Sequence, residues 1–280
     1  MRCVLVKVRI LSAGIGIFLT FLILIFYETL VLNFSVSAIC SIMVYEIFRM
    51  TKIYDKSVFS FIVSEIYAFV FPFLNIGEIL DWRLILTMLY FICLLLVLLK
   101  NHEKIRVSEL IFCVSFCLCT IHFMTNIIYI RDNFSPYSLY YILLFLFISW
   151  LCDIGAYFVG TRFGKNKLAP KISPNKTVEG VLGGVAFAIV SMVAYNFVFL
   201  AVIYSDIHVN FIALFVIILI GIVFSILGDL VASIIKRQYK IKDFGSIMPG
   251  HGGILDRFDS LILVSAILYP IIRIFPIINK

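Results

Sequence analysis

Charge is what this sequence has least of. Only 14% of its 280 residues are Asp, Glu, Lys or Arg, whereas 63% are hydrophobic, and the mean hydropathy is +1.12. Average soluble domains are about 45–50% apolar, so a water-filled surroundings with a buried core is excluded for this chain. Paired cysteine is missing too. The seven cysteines are an odd number and most lie inside apolar runs. No His or second Cys pair stands at zinc-ligand spacing around Cys113, Cys117 and Cys119. No disulfide framework or zinc site can be built on them. Internal repeats, low-complexity tracts and a soluble domain are also lacking.

Long apolar runs are what the chain does have. About 20 apolar residues make one helical span, and in a bilayer only helices or closed barrels satisfy their backbone. Nine segments can be marked: 10–28, 33–48, 58–74, 84–99, 110–129, 138–160, 180–203, 210–235 and 258–277. The expected fold is an all-α polytopic integral membrane protein with about nine transmembrane helices. The start, "MRCVLVKVRI", is basic like a signal peptide. The apolar run that follows extends to about Tyr27, beyond the usual length of about 7–15 residues, and is expected to be an uncleaved first span.

Basic residues follow the same division. Of 23, only Arg83, Arg131, Arg273 and Lys280 fall on one set of loops and termini; all others fall on the opposite set. Positive loops stay inside, which predicts a cytoplasmic N-terminus and an outside C-terminus. The net charge of +7 is then a topology signal, and no nucleic-acid partner is expected. Residues 1–137, with about five spans, read as a membrane scaffold. Residues 138–280, with about four spans and two basic cytoplasmic loops (161–179 and 236–257), read as the catalytic part, and 12 of the 15 glycines lie in it.

Chemistry concentrates in "KDFGSIMPGHGGILDRFDS", residues 242–260. Pro249, Gly250, Gly252 and Gly253 surround His251, a backbone that cannot be regular helix. Glycine-rich turns ahead of a helix turn N–H groups toward phosphate oxygens, although a plain tight turn would also account for the glycines. Asp256 and Asp259, at i and i+3, share a helix face. They would repel unless a cation or separate partners intervene, and magnesium prefers such carboxylates shared with phosphates. Upstream, Asp229, Ser233, Lys236 and Arg237 form one polar stripe on an apolar span. An acid there costs about 2.5–3.5 kcal/mol on insertion scales and is a functional candidate; a structural pair with Lys236 or Arg237 is the plainer alternative. In the other loop, Arg162, Lys165, Lys167, Lys171 and Lys176 suit phosphate or lipid headgroups. Ser173, Lys176, Thr177 and Glu179 precede a span that Thr177 can cap, and Asp153 and Tyr157 share a face of the sixth span. Glu46 and Glu65 receive no role from pattern; His122 reads as structural, and Gly160 with Gly164 as a weak packing motif.

Ser233, Lys236-Arg237, Lys242-Asp243, Pro249-Gly250-His251-Gly252-Gly253 and Asp256-Arg257-Phe258-Asp259 together resemble the signature of the phosphatidate cytidylyltransferases, the CDP-diacylglycerol synthases. "SPNKTVEG" and the pattern Asp153, Tyr157, Gly160 resemble that family too. The resemblance covers roughly residues 145–260. Met248 stands where Leu or Ile is more usual, and Ala232 where relatives commonly carry an acid.

The resemblance implies transfer of CMP from CTP to phosphatidate, giving CDP-diacylglycerol and pyrophosphate, with magnesium and room for a second cation. It implies Asp229 and Asp256 as metal ligands and Lys236 and Arg237 as catalytic cations. Lys242, Asp243, His251, Gly252, Gly253, Arg257, Asp259, Ser173, Lys176, Thr177, Glu179 and Asp153 would bind substrate. It further implies a bacterial-type inner membrane with the site facing the cytoplasm, and a homodimer. Two other readings stand beside it: a CTP-dependent polyprenol kinase, and an ion-coupled transporter using Asp153 and Asp229. A CDP-alcohol phosphotransferase lacks support, because its aspartates are spaced by four.

Overall fold

The computed structural model describes residues 2–74, 82–202 and 208–279, and these are nearly all α-helix. Helices α1 (Arg2–Ile25), α2 (Leu30–Thr51), the one-turn α3 (Ile53–Lys56), α4 (Val58–Val70), α5 (Trp82–Lys100) and α6 (Val107–Asn133) come first. They are followed by α7 (Ser138–Phe163), α8 (Val178–Val202), α9 (Phe211–Gln238) and α10 (Leu255–Ile274). Residues 75–81 and 203–207 and Lys280, which enter the expected loop and span assignments, lie outside the described residues.

Among the described residues six helices are long and apolar enough to cross a membrane: α2, α5, α6, α7, α9 and the Val178–Phe199 part of α8. Shorter apolar helices cover Leu11–Ile25 and Val58–Phe73. The expected ninth span, α10, is not among the six. Asp256, Arg257, Asp259 and Arg273 leave at least three charges in any 18-residue stretch of it, and Pro270 interrupts its hydrogen-bond ladder. Its polar end is where the chemistry was expected.

The chain divides into two compact units. The first is Met1–Arg131 with Gln238–Phe258, the second Asp132–Arg237 with Asp259–Lys280. The segment after α9, expected with the C-terminal half, is thus grouped with the N-terminal helices.

In the first unit, α2 buries Val36, Cys40, Met43, Val44, Ile47 and Phe48 on one face, the i, i+3, i+4 pattern of a packed helix. Small residues on α4, Ser60 and Ser64, lie fully buried and let backbones approach, as in membrane helix pairs. Polar links replace what lipid cannot supply. Asn33 donates to the Pro72 carbonyl at 2.8 Å, Ser64 meets Tyr90 at 2.9 Å, and Tyr67 meets His122 Nε2 at 2.7 Å. His122 is therefore a packing residue held by Tyr67 and Phe71. Apolar side chains that point outward, such as Leu95, Leu96 and Leu99 of α5, fit contact with acyl chains.

In the second unit, α7 and α8 pack closely through glycine. A Cβ on Gly155 would stand 2.6 Å from Phe187 Cβ, and one on Gly184 2.7 Å from the Cys152 carbonyl. The basic loop between them is a two-stranded antiparallel hairpin, β1 (Lys167–Ala169) with β2 (Ser173–Thr177). A second pair joins β3 (His208–Val209) to β4 (Ile278–Asn279). The described residues are thus nearly all-α, as expected, with these four short strands as the exceptions. Both arise where polar connecting backbone needs partners that it cannot find in a helix.

Candidate active site

The first unit contains the glycine turn. His251 N–H donates to the Met248 carbonyl at 2.9 Å, with Pro249 second and Gly250 third at φ 78°. That is a type II turn, whose third position favours glycine. Met248 N–H then donates to the Gly252 carbonyl at 3.0 Å, and Gly252 also has positive φ, 87°. An open cavity of about 500 Å³ borders this turn, lined by Lys242, Asp243, Gly250, His251, Gly252 and Arg257 among others. Five of the residues singled out in the sequence therefore share one cavity wall: Lys242, Asp243, His251, Gly252 and Arg257.

Asp256, in the first turn of α10, is bound to the same loop. Its Oδ2 accepts N–H groups from Phe244 at 2.8 Å and Gly253 at 3.0 Å. A Cβ on Gly252 would lie 3.1 Å from Asp256 Oδ2 and 3.3 Å from Asp243 Cγ, so two carboxylates flank one glycine. Two residues that sequence pattern did not assign also reach this loop. Ser12 of α1 stands 2.8 Å from His251 Nδ1 and donates to the Pro249 carbonyl at 3.0 Å. Glu46 of α2 accepts from Ile254 N–H at 3.0 Å and Leu255 N–H at 2.8 Å. Nothing local in the sequence announces either contact, since each joins residues more than 200 positions apart.

The second unit gathers the remaining candidates. Asp229, on α9, is ion-paired to Lys176 of β2 and meets Ser233 Oγ at 3.4 Å. The polar stripe is real, but the cation it pairs with comes from the hairpin rather than from Lys236 or Arg237. Lys236 Nζ lies 3.9 Å from Asp259 Oδ2, both side chains being about one-tenth exposed. Arg237 Nε donates to the Ile172 carbonyl at 3.2 Å. Ser260 Oγ donates to Asp153 Oδ2 at 3.3 Å. Asp259 is close enough to Asp229 and Asp153 to feel their charge, which Lys236 partly offsets. Ser173 is half-buried in β2.

The hairpin itself is held by two of the predicted residues. Glu179 accepts from Lys165 N–H at 3.0 Å and from the Asn166 side chain at 2.8 Å, so its carboxylate ties down the loop backbone. Thr177 Oγ1 accepts from Gly180 N–H at 3.1 Å and caps α8. A Cβ on Gly160, Gly164 or Gly180 would lie within 3.1 Å of that hydroxyl oxygen, so the small-residue spacing marks a close helix approach around one cap. Thr177→Val is expected to cost about 1 kcal/mol, read as a lower unfolding midpoint in detergent.

Among the described residues no three His, Cys, Asp or Glu side chains gather into a metal cage. Magnesium needs none: it takes one or two carboxylates and completes its shell with water and substrate phosphates. Asp256 offers one carboxylate of that kind beside Gly252, with Asp243 close to the same glycine.

The cytidylyltransferase family model matches residues 7–275. The chain belongs to that family. It is 35% identical to the phosphatidate cytidylyltransferase of Bacillus subtilis (strain 168) over 275 residues, 96% of this chain and 98% of that one. The phosphatidate cytidylyltransferase of Staphylococcus aureus (strain COL) is 34% identical over 266 residues, 94% and 97% of the two chains. That of Staphylococcus epidermidis is 44% identical over 156 residues, 55% of this chain. The resemblance read over roughly residues 145–260 therefore extends over almost the whole chain, the N-terminal helices included.

Proposed function

We propose that this cytidylyltransferase transfers CMP from CTP to phosphatidate, forming CDP-diacylglycerol and releasing pyrophosphate. One observation carries the reading: a glycine turn, the Asp243 carboxylate and the cations Lys242 and Arg257 border one open cavity, with Asp256 bonded to the same loop, in a chain made of apolar helices. A soluble polyphosphate and a membrane lipid need such a meeting place.

A phosphatidate oxygen attacks the α-phosphorus of CTP in line as the bond to pyrophosphate breaks. The attacking oxygen is already anionic near neutral pH, so no general base is required. Positioning and charge neutralisation supply most of the catalysis. Lys242 and Arg257 hold phosphate oxygens, Arg with a two-pronged grip, and the Gly252 amide faces the triphosphate with His251; the Gly253 amide, expected to do the same, donates to Asp256 instead. Asp256 and Asp229 are the carboxylates that would hold magnesium, Asp229 being ion-paired with Lys176. Magnesium, when bound, would neutralise phosphate charge and favour departure of pyrophosphate. Lys236 and Arg237 are the further cations that would hold phosphates, while Thr177 and Glu179 hold the hairpin that presents Ser173 and Lys176 to the headgroup. Pyrophosphate release that depends on added phosphatidate tests the reading; release from CTP alone would contradict it.

The same reading places α1, α4 and α10 in the bilayer with the six longer helices, giving nine spans and a cytoplasmic site in an inner membrane, where CTP is available. Support comes from the charge alternation of the loops. A green fluorescent protein fused after Lys280 is expected to stay dark in cells, and alkaline phosphatase at the same point to be active. Bright fluorescence there would remove the odd span count. A homodimer remains part of the proposal through the family resemblance, and light scattering of the detergent-purified protein would measure it.

A further inference from the structure

Glu46 is buried in α2 with 1% of its surface exposed. A carboxylate so enclosed is costly unless its oxygens find strong donors. Both do, and from one place: the backbone N–H groups of Ile254 and Leu255, at the positive end of α10, where helix amides have no partner of their own. Glu46 therefore caps a helix 208 residues further along the chain.

Glycine chemistry points to the same carboxylate. A Cβ on Gly253 would stand 2.5 Å from Glu46 Oε1 and 2.6 Å from Oε2, and a Cβ on Gly245 would overlap the same oxygen. Neither glycine has positive φ, so space rather than backbone conformation demands them. Gly245 and Gly253 are the two limbs of the loop whose tip lines the cavity. Asp256 bonds to Phe244 N–H and Gly253 N–H, one residue from or at those same contacts. Two carboxylates thus close the loop at its base, Asp256 from within and Glu46 from α2.

We infer that Glu46 is a positioning residue for cytidylyl transfer: it hydrogen-bonds one limb of the 244–255 loop at Ile254 and Leu255, packs against Gly245 on the other, and so fixes where the Asp256 carboxylate and the turn amides stand. The inference rests on the reading of this loop as the triphosphate cradle. Glu46→Gln keeps the volume but offers one carbonyl oxygen for two N–H groups, and turns an NH₂ donor toward the second donor. The loop loosens while the surrounding helix packing is kept.

The test is hydrogen exchange of the full-length protein in detergent, followed in peptides covering 244–258, beside steady-state kinetics. In the wild-type protein the Ile254 and Leu255 amides are expected to be protected. Glu46→Gln should speed exchange in that segment about tenfold or more, with α4 and α5 peptides unchanged. It should lower kcat about tenfold to a hundredfold and leave the KM for phosphatidate within about twofold of wild type. Gly253→Ala, which presses on the same carboxylate from the loop side, should give the same local pattern. Rapid exchange of those two amides in the wild type, or an unchanged segment in both variants, would overturn the inference. So would loosening spread evenly over the first unit, which marks a general packing role. Because exchange is read without substrate, it stands apart from the functional reading. Wild-type protein that makes no CDP-lipid yet shows the protected amides would sink the reaction and the cradle but leave the clamp.

Discussion

Asp256→Asn is expected to slow cytidylyl transfer on the order of a thousandfold, a barrier increase of about 4 kcal/mol, without unfolding the protein. The expectation follows from what the side chain touches. Asp256 Oδ2 alone accepts both loop amides, from Phe244 and Gly253, and the carbonyl oxygen of Asn can take that place. The loop keeps its two hydrogen bonds and its shape. What disappears is the negative charge beside Gly252, which the proposed metal and the two sets of phosphates require. A matched comparison is Gly14→Ala: nothing lies within 4 Å of a Cβ at Gly14, so that variant should behave as wild type. Lipid-linked product formed per minute, with gel filtration to establish folding, gives the answer. Near-normal turnover in Asp256→Asn would remove this residue from the metal.

The second large effect is expected at Asp229. Asp229→Asn should lose about two to three orders of magnitude in kcat/KM, whereas Lys176→Met should lose far less, because the lysine acts on Asp229 and on the headgroup rather than at the phosphorus. The ion pair between them makes the two positions interdependent. Residues that share an interaction are non-additive, so the double variant should match Asp229→Asn alone instead of multiplying the two losses. Full multiplication would mean that Lys176 and Asp229 work independently, and that the pair has no part in holding the carboxylate. Each of the three kcat/KM values, measured at saturating magnesium, enters the comparison.

Much of this architecture was legible because the bilayer simplifies the code. Runs such as 84–99 and 210–235 can be little but helix, and α5 and α9 are found there. The site was legible where its residues are neighbours in sequence. Pro249-Gly250 before His251 dictates the type II turn, and Lys242, Asp243, His251 and Arg257 meet at one cavity because a single loop carries them. The Asp229–Ser233 stripe follows from helical spacing alone.

What escaped pattern is long-range pairing. The partner of Asp229 is Lys176, 53 positions earlier on a hairpin, and local spacing favoured Lys236 and Arg237 instead. Glu46 and Ser12 lie on apolar helices far from the motif in sequence, so their contacts to Leu255 and His251 left no periodic trace. The glycines at 245 and 253 point to the close approach of Glu46 only once their backbone is seen. Neither needs a left-handed backbone, and a glycine that conformation does not require signals a close neighbour. The hairpin β1–β2 was hidden because its lysines read as topology charge, and three- to five-residue strands are too short for alternation to show.

The most direct measurement is a paired assay of the purified protein in detergent with phosphatidate and magnesium, using CTP labelled at the α-phosphorus in one tube and at the γ-phosphorus in the other. Cytidylyl transfer predicts α-label in the lipid phase and γ-label in aqueous pyrophosphate, both abolished when phosphatidate is omitted. γ-Label in the lipid phase, with none from the α-position, would contradict the account and identify a kinase.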